Sequence, residues 1–313
     1  MEFSGMTISG GISVVWIPPP TSKAIFGYGL GAGAISTTAI TNLVSNTGVV
    51  ATDTAGVGTG RNGLAAAGYG TDKAIFGYGT ASGQVSMTNL VSNTGVVATD
   101  TAGVGTTRTG LAAAGYGTDK AIFGYGFRSA GGRQSITNLV SNTGVVATDT
   151  TGVGTTRLQL AAAGYGSDKA IFGYGDPSSG VVTAITNLVS NTGVVATDTT
   201  GVGTARRALA ATTYGTDKAI FGYGDDIASY ISLTNLVSSA GIVATDTTGV
   251  GTARNVLAAA GYGGDKGIFG YGNQDLFLSM TNLVSNTGVV AIDTTGVGTA
   301  RIQLAAASYG YTA

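Results

Sequence analysis

The sequence contains no cysteine and no histidine among its 313 residues. The missing cysteine excludes disulfides and thiolate nucleophiles, and the missing histidine excludes an imidazole base and any His/Cys metal cluster. The lack of cysteine fits any redox compartment. We therefore expect a protein that is not an enzyme and that carries neither a cofactor nor a bound metal ion.

Charge is also scarce. Only 10% of the residues are charged, and the formal net charge is −1. No basic stripe is present to neutralise phosphates, which is the dominant contribution to nucleic-acid binding. We therefore expect no nucleic-acid partner.

Glycine is abundant, with 54 copies, and much of it lies in an internal repeat whose core is LAAAGYGTDKAIFGYG at 111–126. The lysine before AIFGYG recurs at intervals of 47 to 50 residues: Lys23, Lys73, Lys120, Lys169, Lys218 and Lys266. Such a period indicates a repeat architecture. The six units lie near 23–70, 71–117, 118–166, 167–215, 216–263 and 264–313.

Each unit contains four short runs that are typical of strands, which in one unit are 111–115, 121–125, 135–140 and 145–149. Glycine-containing turns at 117–120 and 141–144 separate them, as in hairpins. The pattern predicts an all-β fold, a six-bladed β-propeller of four-stranded antiparallel blades. A β-solenoid is the alternative, although its coils are normally shorter.

The order of these runs resembles the Kelch repeat. An arginine and two variable positions precede a small-residue strand (108–114), and an aromatic strand ending in glycine (122–126), a variable loop and two further strands follow. The resemblance covers residues 22 to 313 and implies a propeller. The paired glycines of Kelch repeats occur here as Gly-Tyr-Gly, and the later tryptophan is missing.

The two ends of the repeat region complete each other. The chain enters the repeat at the beginning of a second strand (21–23) and ends after a first strand (304–311). We therefore expect a composite blade with its innermost strand from 301–310 and its other strands from 23–53, which closes the ring and removes two open edges. Residues 21–313 would form one domain.

Residues 1–20 lie outside the repeat and lack both a basic n-region and a long apolar run, so they predict neither a secretory signal nor a membrane span. One interpretation is an expression remnant or a disordered leader. The other is a docking or oligomerisation strand that attaches the domain through Ile8, Val14 and Trp16, followed by a stiff spacer of three prolines.

Residues that recur in every unit have structural interpretations. Asp100 and Arg108 flank a constant loop and are expected to pair or to cap backbone groups within it; a ring of Ca²⁺ sites is the alternative, although each loop offers one Asp. The Phe and Ile of AIFGYG should pack between adjacent sheets. Tyr116, Tyr125 and their copies should do the same, with a ring of sugar-stacking platforms as the alternative.

Functional differences are expected where the six units differ. One variable set is the loop between the second and third strands, at 30–39, 80–84, 127–134, 176–184, 225–231 and 273–278. The other is the pair after each framework arginine, at 62–63, 109–110, 158–159, 207–208, 255–256 and 302–303. In an up-and-down blade both sets lie on one face, and the constant turns lie on the opposite face. Simple drift of loop sequences is the alternative.

We interpret the variable face as a binding surface, because it adds aromatic and charged groups to a background of Gly, Ser and Thr. The candidate ligand-binding residues are Phe127, Arg128, Arg133, Asp176, Arg207, Asp225, Asp226, Tyr230, Asp275 and Phe277.

The near-identical units, the low charge and the segment TISGGISV resemble bacteriophage tail or tail-fibre proteins. The resemblance implies a non-enzymatic structural or receptor-binding propeller of a virion or of the extracellular space. Its partners would be other assembly proteins, bound through the leader, and a cell-surface glycan or protein; a homo-oligomer is compatible with this. A multivalent lectin and a general Kelch-type interaction scaffold are the alternatives. Copper oxidases related to Kelch proteins need His, Tyr and Cys ligands. This sequence has no His and no Cys, so we do not expect an enzyme of that kind.

Overall fold

The structure is a computed structural model that describes residues 22–32 and 36–310, together with the backbone of 7–8 and 12–13. Within these ranges the chain is all-β and contains no helix. Its main elements are six antiparallel sheets of three strands each.

Each sheet is built from a first, a second and a third strand in that spatial order. The first strands are Ala65–Tyr69, Ala112–Tyr116, Ala161–Tyr165, Ala210–Tyr214, Ala258–Tyr262 and Ala305–Tyr309. The second strands are Lys23–Gly27, Lys73–Gly77, Lys120–Gly124, Lys169–Gly173, Lys218–Gly222 and Lys266–Gln274. The third strands are Thr41–Val44, Thr88–Val91, Thr137–Val140, Thr186–Val189, Thr234–Val237 and Leu276–Val284.

Short strands extend these sheets or stand apart from them. Arg301–Ile302 pairs with Leu30–Gly31, which pairs with Ser36–Thr37, and Phe127–Arg128 pairs with Gly132–Arg133. Near the N-terminus, Thr7–Ile8 pairs with Ile12–Ser13.

The sheet that contains the two ends of the repeat region is composite, as the sequence predicted. Ala305–Tyr309 pairs with Lys23–Gly27, which in turn pairs with Thr41–Val44. Its register is that of the other five sheets, so residues almost 300 positions apart take the places that neighbouring runs take elsewhere.

The strands begin and end at slightly different residues than the sequence predicted. In the unit whose four runs were predicted at 111–149, the second strand ends at Gly124. Tyr125 and Gly126 end it by adopting left-handed backbone conformations with φ values of 64° and 99°. The first strand runs one residue later than predicted, and the third begins at Thr137.

The fourth run is not a continuous strand, which corrects the prediction of four regular strands. It pairs with the third strand through only two isolated bridges, Val140↔Val146 and Thr137↔Thr150. The spacing of these bridges leaves one extra residue on the outer run, as in a β-bulge. The side-chain amide of Asn138 fills the break by donating to the Ala147 carbonyl oxygen at 3.0 Å.

The core lies between neighbouring sheets, as predicted for the Phe and Ile of AIFGYG. Phe123 packs against Tyr78 of the preceding sheet, with ring centroids 5.1 Å apart and both residues fully buried. The approach depends on glycine at position 77, because a Cβ there would lie 2.7 Å from the Phe123 ring. The same contact recurs between all six sheets.

Backbone hydrogen bonds join the six sheets one after another. The second residue of each variable pair donates its N–H to the same residue of a neighbouring unit, at 2.8 to 2.9 Å, in the order Gly63, Gln303, Val256, Ala208, Gln159, Gly110 and again Gly63. A second set connects the turns at the other side of the sheets, from Gly70 N–H to the Asp119 carbonyl and onwards to Gly310 N–H and the Asp72 carbonyl. Each set passes through every sheet and returns to its starting unit.

Deleting residues 301–313 should abolish the cooperative unfolding transition, because Lys23–Gly27 would lose its first-strand partner and the core would lose Leu304 and Tyr309. Loss of buried Leu304 alone removes roughly 1.5–3 kcal/mol. Thermal unfolding followed by circular dichroism measures this, with deletion of 311–313 as the control. A 301–313 deletion that melts at the temperature of the control would contradict the role of this strand.

Candidate functional site

A buried arginine organises the connection between sheets. The Arg108 side chain is fully buried. It donates from Nε to the Tyr125 carbonyl at 2.9 Å, from Nη1 to the Thr106 carbonyl at 3.1 Å and from Nη2 to Asn138 Oδ1 at 2.6 Å. A buried guanidinium is tolerated when its donors are satisfied in this way.

Asn138 passes the interaction on to an aspartate. Its Nδ2 donates to Asp149 Oδ1 at 2.9 Å, and Asp149 also accepts from the Thr106 N–H and hydroxyl. Arg108 Nη1 lies 3.7 Å from Asp149 Oδ1. The arginine, asparagine, aspartate and threonine form a group that we call the clasp.

The clasp corrects the predicted pairing of Asp100 with Arg108, whereas the predicted capping within the loop is confirmed for Arg108, which donates to the Thr106 carbonyl. These residues flank one loop, but the loop leads from one sheet to the next and carries them into different clasps. Asp100 lies 3.8 Å from Arg61, whereas Arg108 pairs with Asp149. The arginines of the six clasps are Arg61, Arg108, Arg157, Arg206, Arg254 and Arg301. In the described residues, Nε and Nη1 of Arg157 and Nε of Arg301 are buried without a hydrogen-bond partner.

A tyrosine of the preceding sheet completes the clasp. The Arg108 guanidinium lies 4.6 Å from the centre of the Tyr78 ring, and the Tyr78 hydroxyl donates to the Val104 carbonyl at 3.1 Å. Burial raises the pKa of Tyr78 to about 12. The corresponding tyrosines, including Tyr125, are buried between sheets, which confirms their structural interpretation.

The clasp aspartates use their oxygens within the protein. Asp149 accepts hydrogen bonds from Thr106 and Asn138 on both carboxylate oxygens. In residues 22–32 and 36–310, no group of three or more acidic side chains is placed to hold a metal ion.

The two variable sets lie beside each other, as predicted. The first residue of the variable pair forms an antiparallel bridge with the beginning of the loop between the second and third strands in five units: Asn62↔Thr80, Thr109↔Phe127, Leu158↔Asp176, Arg207↔Asp225 and Asn255↔Asn273. In the composite sheet, Ile302 pairs with Leu30. We call the surface formed by these pairs and loops the variable face.

The constant turns also gather together, away from the variable face. A Cβ on Gly70 would lie 2.8 Å from the carbonyl oxygen of Asn142, which belongs to a constant turn of the next sheet. Each lysine beside these turns pairs with its own neighbour, as Lys120 does with Asp119 at 2.8 Å. Lys23 differs, because Ser22 takes the place of that aspartate.

Four of the predicted ligand-binding residues form one band of ion pairs across three loops of the variable face. Arg133 Nη2 lies 2.7 Å from Asp176 Oδ1, and Arg207 lies 3.3 Å from Asp176 Oδ2 and 3.0 Å from Asp225 Oδ1. Asn255 donates to Asp225 Oδ2 at 2.8 Å. Asp176 and Asp225 are buried, so these residues brace the loops rather than project from them.

The other predicted residues are more open. Arg128 and Asp275 are exposed, whereas Phe127, Asp226 and Phe277 are partly exposed. The Asp226 carboxylate accepts from the Ala228 and Ser229 N–H groups of its own loop. Tyr230 accepts from Asn273 Nδ2 at 3.0 Å, and its hydroxyl lies 3.4 Å from Asp275 Oδ1.

The sequence interpretation missed three aliphatic residues at the tips of consecutive loops. Val181 is 48% exposed, Ile227 46% and Leu276 74%. Ile227 also has a φ of +82°, which is rare for a β-branched residue. Large aliphatic residues within loops otherwise rich in Gly, Ser and Asp were the signal that identifies them.

The predicted attachment residues can be placed only in part. Ile8 pairs with Ile12 in the backbone of the short N-terminal hairpin. Val14 and Trp16 lie outside the described residues.

Comparison with known proteins assigns no family. Neither a protein-family model nor a curated protein matches the chain. The resemblance to Kelch repeats therefore stays a prediction from strand order and period. In the part of the chain that the structure describes, no helix is long and apolar enough to cross a membrane.

Replacing Asn138 with Ala should lower the free energy of unfolding by about 3 kcal/mol, because the buried Arg108 would lose its Nη2 acceptor and Asp149 a donor. Urea unfolding measures the change. Lys120→Ala is the control, since it removes an ion pair that is open to solvent and should change stability little. Equal effects of the two substitutions would contradict the importance of the clasp.

Stability should be constant between about pH 5 and pH 9 and should fall on both sides. Partial burial opposes the charge of Asp149, but hydrogen bonds from Thr106 and Asn138 and the charge of Arg108 outweigh it and lower the pKa of Asp149. The stabilisation is complete above the ordinary Asp pKa of about 3.9 and is lost as the pH falls through the lowered pKa. The same direction holds for Asp53, Asp100, Asp198, Asp246 and Asp293.

The alkaline side follows from the buried tyrosines. Burial raises the pKa values of Tyr78 and Tyr125 to about 12, so their contribution is complete below about pH 10 and is lost as the pH rises toward 12. Melting temperatures measured across this range test both limbs. A steep change between pH 6 and pH 8 would contradict the account, because the sequence has no histidine.

Proposed function

We propose that the six sheets are the blades of a closed six-bladed β-propeller formed by residues 21–313, with the bulged fourth run as the outer strand of each blade. The two cycles of backbone hydrogen bonds support this architecture. Contacts of Ala305–Tyr309 with both Ala258–Tyr262 and Ala65–Tyr69 support it too. An open array would leave its terminal sheets with unpaired surfaces.

The propeller is a non-enzymatic recognition module that binds a receptor through its variable face. One observation carries this proposal: variable pairs and variable loops lie side by side on one surface, while the clasps that hold the sheets repeat in all six units. Random drift would have to spare the constant turns of the sheets while altering two positions that lie together on one surface.

The chemistry of the face suits a macromolecular partner. Val181, Ile227 and Leu276 supply apolar contact area at three neighbouring loops. The ion-pair band links the loops of Val181 and Ile227, and Tyr230 connects the latter to the loop of Leu276 through Asn273. These contacts fix the loops before binding, which lowers the entropy lost on association. Attachment of the module to a virion through residues 1–20 remains the proposal made from the sequence.

Binding of the purified protein to intact bacterial cells and to a glycan array tests this proposal. The triple variant Val181→Ser, Ile227→Asn, Leu276→Ser removes the three aliphatic tips and should weaken binding about tenfold or more. The matched control is Val96→Ser, Val145→Ser, Val194→Ser, which removes three aliphatic residues after the constant turns that are 65–66% exposed.

The control should bind as the unaltered protein does. Equal binding by the two triple variants would contradict recognition through the variable face. Failure of the unaltered protein to bind any of the cells or glycans would contradict a receptor-binding role and favour a purely structural component.

A further inference from the structure

An open cavity of about 160 Å³ lies at the centre of the variable face. Its floor is a collar of leucines, one from each sheet, which directly precede the first strands: Leu64, Leu111, Leu160, Leu209, Leu257 and Leu304. Its rim is formed by the residues of the hydrogen-bond cycle, Gly63, Gly110, Gln159, Ala208, Val256 and Gln303, together with Thr109 and Leu158. The floor is constant and the rim varies.

The six rim residues of the hydrogen-bond cycle all have left-handed backbone conformations. Gly63 and Gly110 adopt φ values of 60° and 62°, as glycine does without strain, but Gln159, Val256 and Gln303 adopt 55°, 48° and 52°. Side chains raise the energy of this conformation, most of all a β-branched one such as valine. The cycle itself uses only backbone groups, so glycine would serve it in every unit.

Strained residues of this kind often mark functional sites. In four units the cycle residue carries a side chain in a left-handed backbone conformation, whereas two units have glycine there and avoid that strain. The hydrogen-bond cycle does not use those side chains, and the cavity that they surround is where they would contact a ligand.

The lining defines the chemistry of a ligand. Gln159 and Gln303 are three steps apart in the six-step cycle, so they lie on opposite sides of the cavity. Neither side-chain amide makes a hydrogen bond to any residue that the structure describes, whereas the floor is apolar. No charged side chain lines the cavity, so an ionic ligand would lose its hydration without gaining a counter-charge.

We propose that this cavity binds one uncharged sugar residue, with a methyl-bearing substituent on the leucine collar and hydroxyl or amide groups on Gln159 and Gln303. The inference deepens the proposed function and rests on it, since it takes the variable face as the recognition surface. A purely aliphatic ligand fits less well, because it would leave both amides without partners.

The test uses the full chain and free monosaccharides, followed by saturation-transfer NMR and titration. N-acetylglucosamine and L-rhamnose are uncharged rings that carry a methyl group, and they should bind with Kd values of about 1 mM, as expected for ligands of this size. Glucose, which lacks the methyl group, should bind about fourfold more weakly. Glucuronic acid should not bind.

Substitution by glycine separates ligand binding from stability. Gln159→Gly and Gln303→Gly relieve backbone strain, so neither should lower the melting temperature by more than about 2 °C. Each should nevertheless weaken sugar binding about fivefold by removing a hydrogen-bonding group. The constant-turn variant Val96→Ser, Val145→Ser, Val194→Ser is the control and should keep sugar binding.

The proposed sugar site would be overturned if neither N-acetylglucosamine nor L-rhamnose bound at concentrations up to about 10 mM. It would also be overturned if both glycine variants bound sugar as the unaltered protein does. Binding to cells that survives in either case would leave the proposed function standing without this site. Binding of glucuronic acid as strong as that of N-acetylglucosamine would also contradict the assignment of an uncharged ligand.

Discussion

The fold depends on six buried arginines, one in each repeat unit. Each guanidinium donates to Asn138 or its equivalent and stacks on a tyrosine of the preceding sheet. A buried cation is costly unless its donors are paired, so each clasp permits one arrangement of neighbouring sheets. The bulge of the fourth run is connected to the clasp. Asn138, which accepts a hydrogen bond from Arg108, also donates one to the Ala147 carbonyl in the bulged run.

This framework is separate from the variable face. The residues of the clasps and of the inter-sheet Phe–Tyr contacts recur in every unit, which leaves the loops beyond the second strands free to differ. The ion pairs of Arg133, Asp176, Arg207 and Asp225 then link those loops to one another. The variable face is thus held by its own charges as well as by the sheets below it.

Periodicity and turn chemistry in the sequence were sufficient to predict the sheets, their order and the pairing of Ala305–Tyr309 with Lys23–Gly27. They could not predict the partner of Arg108, because a residue that flanks a loop in sequence can belong to the next sheet in space. The burial of Asp176 and the left-handed backbone at Gln159 and Val256 depend on neighbouring units, and no pattern within one unit contains that information.

We propose that the six sheets close on themselves and so place six rim residues around one axis. Amide hydrogen exchange of Gly63, measured by NMR, tests it most directly, because its N–H donates to Gln303 at the other end of the chain, whereas that of Gly110 donates to Gly63 of the adjacent unit. Closure predicts similar protection of the two amides. Rapid exchange of Gly63 beside a protected Gly110 would contradict it.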